Sequence, residues 1–173
     1  EQTAKSAQGS VIVQGNYNVV LVATSLLVAV LASWTALDMV DRVNKSKRNA
    51  AILWLLAGGF SMGIGIWSMH FIGMLANSLP IPVGYDLLIT LLSLSAAIAS
   101  STFALWLASQ STLPKWRLLP GGVLMGCGIA TMHYLGMEAM QMSPSLSYDP
   151  LWFVLSILLA IAASWTALRV FFA

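Results

Sequence analysis

The sequence predicts an all-α fold, a polytopic transmembrane helical bundle, and three observations carry that prediction. Hydrophobic residues make up 58% of the 173 positions and charged residues only 8%, a ratio that no water-soluble domain of this length covers with polar surface. Apolar stretches of about 20 residues, the length a helix needs to cross a hydrocarbon core, occur five times. The stretches also repeat one another, so the chain is built from a two-helix unit present two and a half times.

The spans are expected at about 17–40, 50–76, 87–108, 118–140 and 151–172, within a single membrane domain over 17–173 that follows a polar leader over 1–16. The first span is too long for a signal-peptide core and no small-residue cleavage site follows it, so it reads as a retained helix. The chain starts with Glu1 rather than Met, which leads us to expect a missing start or processed segment. Span two reads GGFSMGIGIWSMHFIGMLA from Gly58 to Ala76. Span four reads GGVLMGCGIATMHYLGMEA from Gly121 to Ala139, with eleven of nineteen positions identical in ungapped register. Spans one and five share ASWTAL, at Ala32–Leu37 and Ala163–Leu168, and span three carries a weaker echo at Ala99-Ser100-Ser101-Thr102. Half a third unit is therefore left at the end, and a sixth span is expected beyond it.

Basic residues give the orientation. Arg42, Lys45, Lys47 and Arg48 fill the first loop, Lys115 and Arg117 the third, and Arg169 ends span five, whereas loops 77–86 and 141–150 carry none. The N-terminus is expected outside and the C-terminus in the cytoplasm. The two outer loops hold Pro80, Pro82, Gly84, Ser143, Pro144 and Pro150, and read as tight turns between antiparallel helices.

Several function classes fall away. A net charge of +2 with scattered basic residues builds no track for nucleic acid. The single Cys127, in an apolar run, excludes a disulfide scaffold and structural zinc, and packing is its expected role. No phosphate loop, nucleophile elbow or HExxH is present, so this segment is not expected to be an enzyme. Glu138 points away from the histidine stripe, and Asp86 and Asp149 sit at helix starts, where negative charge suits the dipole. Trp34 and Trp165 are repeat partners near the inner ends of their spans and read as interfacial anchors.

The chemistry concentrates on two residues. His70 and His133 are the only histidines, and they occupy the same place in spans two and four, each inside Met-His-aromatic-x-Gly-Met. An intramembrane imidazole is costly and needs a partner, so it marks a site. At 1.5 Å rise per residue, His70 lies roughly 33 Å from Arg48 and His133 roughly 24 Å from Arg117, placing both toward the outer leaflet. Met74 and Met137 share the histidine faces at i+4, and Gly59, Gly63, Gly122 and Gly126 continue those faces inward at GxxxG spacing. Met62, Met69, Met125 and Met132 flank the stripe and Met140 extends it by a turn. Soft thioethers with borderline imidazoles suit copper, above all Cu(I), better than zinc or magnesium.

Other readings stay open at this stage. Any single methionine is more often packing than a ligand, and a lone histidine can bond a neighbouring helix. Two imidazoles at one depth could also serve as axial ligands of haem b in an electron carrier. A cofactor-free interaction subunit of a larger membrane complex is the third reading.

The segments Met69-His70-Phe71-Ile72-Gly73-Met74 and Met132-His133-Tyr134-Leu135-Gly136-Met137 resemble the repeated motif of the bacterial MHYT domain, an integral-membrane sensor module. The likeness covers nearly the whole chain after the leader. Phe71, Ile72 and Leu135 depart from the eponymous Met-His-Tyr-Thr, while the Gly-Met tail is intact in both copies. The resemblance implies a module of the bacterial inner membrane, its site near the outer side, that binds copper and senses a diatomic gas such as oxygen, carbon monoxide or nitric oxide. Carried over by position, the metal ligands are His70, His133, Met74, Met137, Met69 and Met132. It further implies a third motif copy some way beyond Ala173 and, in many relatives, a cytoplasmic output domain.

Overall fold

A computed structural model describes residues 16–78, 82–143 and 148–173. The predicted leader up to residue 15 and the turn prolines Pro80 and Pro144 lie outside the described residues. Among those described, five long helices dominate, α1 (Val19–Lys45), α2 (Arg48–Leu75), α3 (Leu87–Ala108), α4 (Lys115–Glu138) and α5 (Pro150–Phe171). Each is long and apolar enough to cross a membrane.

Asparagine or aspartate starts every odd helix. The side chain of Asn18 accepts from the backbone N–H of Val20 and Leu21, Asp86 from that of Ile89 at 2.9 Å, and Asp149 from that of Leu151 at 2.8 Å. These bonds satisfy amides that a helix start otherwise leaves free. In α5, Pro150 follows at the first helical position, where its missing N–H costs nothing. At the far end α1 runs five residues past the predicted Val40, because Arg42 pairs with Asp38 at 2.7 Å and Lys45 with Asp41 at 2.6 Å, both at i,i+4 on an exposed face. A two-residue link, Ser46 and Lys47, then leads into α2.

The outer turns carry more order than turn residues alone foretell. Strand β1 (Asn16–Tyr17) pairs antiparallel with β2 (Asn77–Ser78), and β3 (Gly84–Tyr85) with β4 (Met140–Gln141). The amides of Asn18 and Asp86 add bonds of 2.8 Å to the carbonyls of Ala76 and Ala139. The starts of α1 and α3 are thus stitched to the ends of α2 and α4 respectively. The Ala76 and Ala139 carbonyls, just past the ends of α2 and α4, thereby find partners within the protein.

Small residues make the core. Buried positions are mostly Gly, Ala and Ser, while large apolar side chains turn outward, as befits a chain whose solvent is lipid. Consecutive helices pack on one another, and α2 and α4 touch only over a short stretch. The glycine stripes at GxxxG spacing join α2 to α3 and α4 to α5. A Cβ on Gly63 would stand 2.6 Å from the Ile98 Cα of α3, and one on Gly126 would stand 2.5 Å from the Ile161 Cα of α5. Each stripe therefore seats its helix on the next odd helix, with backbone against backbone.

Cys127 is likewise a correction to expectation: it is exposed on α4 rather than packed. Trp34 is exposed, and Arg169 lies over the Trp165 ring at 5.1 Å. Near the same basic end, Ala36, Ala104 and Ala167 with Leu37, Leu105 and Leu168, equivalent layers of α1, α3 and α5, combine with Met62 and Met125. Together they help line an apolar cavity of about 160 Å³.

Candidate metal centre

The two histidines meet. His70 on α2 and His133 on α4 have ring centroids 4.8 Å apart and planes at 62°. The contact closes the short stretch where α2 and α4 touch, so the repeat that sets the two residues at equal depth also sets them face to edge. The Nε2 of His70 is buried and has no hydrogen-bond partner among the described residues. Leaving such a nitrogen unpaired in a low-dielectric interior is costly.

The helices carrying the rings are pinned by hydroxyls of the odd helices. Ser25 of α1 donates to the carbonyl of Met69 at 3.0 Å, one residue before His70. Trp67, one turn before His70, donates its indole N–H to Ser93 of α3 at 3.0 Å, and Ser93 passes its own proton to the Thr90 carbonyl at 2.8 Å. On α4, the Tyr134 hydroxyl bonds Ser156 of α5, whose own proton goes to the Phe153 carbonyl, so tyrosine is the donor. The edges of Phe71 and Tyr134 contact His70 and His133 with ring centroids at 5.6 and 5.1 Å. Together these bonds fix the depth at which α2 and α4 present the imidazoles.

Among the described residues no three His, Cys, Asp or Glu side chains gather to hold an ion. Two imidazoles are the nitrogen donors, and further donors near them are sulfur. Met69 and Met74 lie within about one turn of His70, and Met132 and Met137 within about one turn of His133. Met132 is buried and the other three are half-buried. Glu138 is exposed and contributes no oxygen to the pair. The donor set fits a soft ion.

Two repeated features escaped the sequence reading. A tyrosine precedes each capping residue, at Tyr17-Asn18, Tyr85-Asp86 and Tyr148-Asp149, and the ring of Tyr85 reaches Phe71 while that of Tyr148 reaches Tyr134. The pinning serines Ser25, Ser93 and Ser156 also occupy equivalent positions of the odd helices. Aligning the odd spans at full length, rather than on ASWTAL alone, reveals both.

A family described as a bacterial signalling protein N-terminal repeat, MHYT, matches residues 7–53, 63–121 and 126–173. The chain belongs to the MHYT family. The second and third matched segments of this MHYT chain each begin seven residues before a histidine, so the family unit runs from the His half of an even helix through the following odd helix. It is 61% identical over 157 residues to the bifunctional diguanylate cyclase/cyclic di-GMP phosphodiesterase MucR of Pseudomonas aeruginosa, covering 91% of this chain and 23% of that protein. It is 45% identical to the cyclic di-GMP phosphodiesterase NbdA of the same organism, over 92% of this chain and 20% of that protein. It is 38% identical to the signaling protein YkoW of Bacillus subtilis, over 90% and 19%. The MHYT chain thus spans about a fifth of the length of these relatives. No solved structure matches it. Five membrane-length helices and the family together make it a multi-pass bacterial membrane protein.

Proposed function

We propose that this MHYT domain is an inner-membrane sensor that holds a copper ion between α2 and α4 and answers a diatomic gas. The carrying observation is the meeting of His70 and His133 with one Nε2 buried and unpaired. His70 and His133 would supply nitrogen and Met74 and Met137 sulfur from i+4, with Met69 and Met132 completing the set. A copper ion, when bound, supplies a soft redox-active centre able to take a diatomic ligand. The serine bonds to Met69, Trp67 and Tyr134 tie the imidazoles to α1, α3 and α5. A shift of α2 or α4 at the rings would therefore be passed to α1, α3 and α5.

The basic links at one end of the bundle support an N-terminus outside and a C-terminus in the cytoplasm, which puts the histidines near the outer side. The names of the relatives support an output in cyclic di-GMP turnover, carried by domains other than this one. A bis-histidine haem finds less support, since the two rings touch and leave no thickness for a porphyrin between them.

Metal analysis and an absorption spectrum on one purified sample test this reading. Copper retained after Cu(I) exposure by the native protein, lost in a His70→Ala/His133→Ala variant and without a Soret band, is the expected result. A native protein that stays copper-free, or that matches the variant, overturns it.

A further inference from the structure

The two motif copies are alike in sequence, and nothing in the residue pattern separates Gly73 from Gly136. In the fold they do different work. A Cβ on Gly73 would meet only the Ser25 hydroxyl, at 3.6 Å, an ordinary contact. A Cβ on Gly136 would stand 2.7 Å from Nε2 and 2.9 Å from Cδ2 of His70. The edge of the His70 ring occupies the volume that any side chain at position 136 would need. That same edge carries the buried, unpaired nitrogen.

The geometry explains why. To approach α4, the His70 imidazole must lie against the α4 backbone, and it does so where the side chain is a hydrogen atom. Gly136 lies three residues after His133, on the same side of α4 and about one turn away. The gap that receives His70 and the imidazole that α4 contributes are therefore neighbours. The converse does not hold: the Gly73 gap on α2 faces α1, and His133 makes no use of it.

We propose that Gly136 is a positioning residue of the metal centre, the socket that seats the His70 ring beside His133, whereas Gly73 is a packing residue only. The ligand part of this inference rests on the copper reading, and its steric part does not. Pseudo-repeated motifs thus have divided roles: α2 supplies the imidazole that crosses the gap, and α4 supplies both the second imidazole and the room for the first.

The test is a stability cycle on metal-free protein, joined to Cu(I) competition titrations. Gly136→Ala is expected to lower Tm and to weaken Cu(I) binding by about tenfold or more, as displaced metal-site geometry does. In a His70→Ala background the same substitution should no longer lower Tm, because the group it strikes is gone. Gly73→Ala should leave Tm close to native and Cu(I) affinity within about twofold, the behaviour of a change away from any special feature. Should Gly136→Ala not accumulate alone, its recovery in the His70→Ala background supports the socket, and absence of recovery overturns it. Equal loss of Tm with and without His70, native-like Cu(I) binding by Gly136→Ala in a protein that binds copper, or equal damage from Gly73→Ala also overturns it. If the native protein takes no Cu(I), the copper reading fails, and the metal-free cycle still decides the steric pairing.

Discussion

The imidazole of His70 meets that of His133 edge to face across the one short stretch where α2 and α4 touch, ring centroids 4.8 Å apart. The two are 63 positions apart in sequence, and one internal repeat brings them to the same depth. A contact of this kind between polar rings inside a lipid-solvated bundle costs free energy unless the rings share a ligand or a proton.

If both rings serve one ion, neither survives alone as a site. Single variants His70→Ala and His133→Ala should each weaken Cu(I) binding by about tenfold or more, with little further loss in the double variant. Competition titration of all three proteins checks this. Losses that multiply in the double variant would mean two independent sites.

Adjacent positions on α4 should respond in opposite ways. A Cβ on Gly126 would lie 2.5 Å from the Ile161 Cα, backbone that cannot give way, whereas Cys127 is exposed. Gly126→Ala should destabilise the protein by about 1–3 kcal/mol, the usual penalty of overpacking. Cys127→Ser should stay within about 0.5 kcal/mol. Unfolding in a mixed detergent and denaturant series reads both.

The capping aspartates should matter to folding and not to metal. Asp86→Ala and Asp149→Ala each remove a bond to a helix-start amide, with an expected cost of about 0.5–2 kcal/mol. Because the caps sit on different helices, the double variant should lose about the sum. Thermal unfolding measures the loss, and copper content should be unaffected.

The phenol of Tyr148 is held above the ordinary tyrosine range by burial first, then by the charge of Glu138 and by Tyr134. A raised value means the folded protein keeps this proton after the unfolded chain has released it. The stability linked to it is therefore complete below about pH 10, the ordinary phenol value, and is lost as pH climbs from there through the raised value. Glu138→Gln removes the nearby negative charge and should bring the Tyr148 titration down. Phenolate absorbance, assigned by difference against Tyr148→Phe, checks the direction; an unchanged or higher midpoint in Glu138→Gln contradicts it.

Much of this was legible in the residues. Spans three and five are found within one residue of their expected bounds, since apolar length sets where a helix meets water. The bounds of α1 moved, because the pairs Asp38–Arg42 and Asp41–Lys45 extend helix into the aqueous zone, where hydropathy carries no signal. The outer strands were missed for a related reason. They are two residues long, and they exist because the two helix ends are brought together, a fact of packing and not of local pattern.

By itself the sequence determined that the chain is a repeated set of membrane-length helices, and that His70 and His133 lie at matched depth with methionine close by. Periodicity and apolar length act along one helix at a time, and they suffice for that. Only the tertiary structure decided which faces meet: Gly59 and Gly63 of α2 turn to α3, Gly65 and Gly73 turn to α1, and Gly136 alone takes in the His70 ring. In lipid no hydrophobic force selects the partner of a helix, so fit between small residues and neighbouring backbones makes that choice. Such fit is a property of surfaces that come together only in the folded bundle.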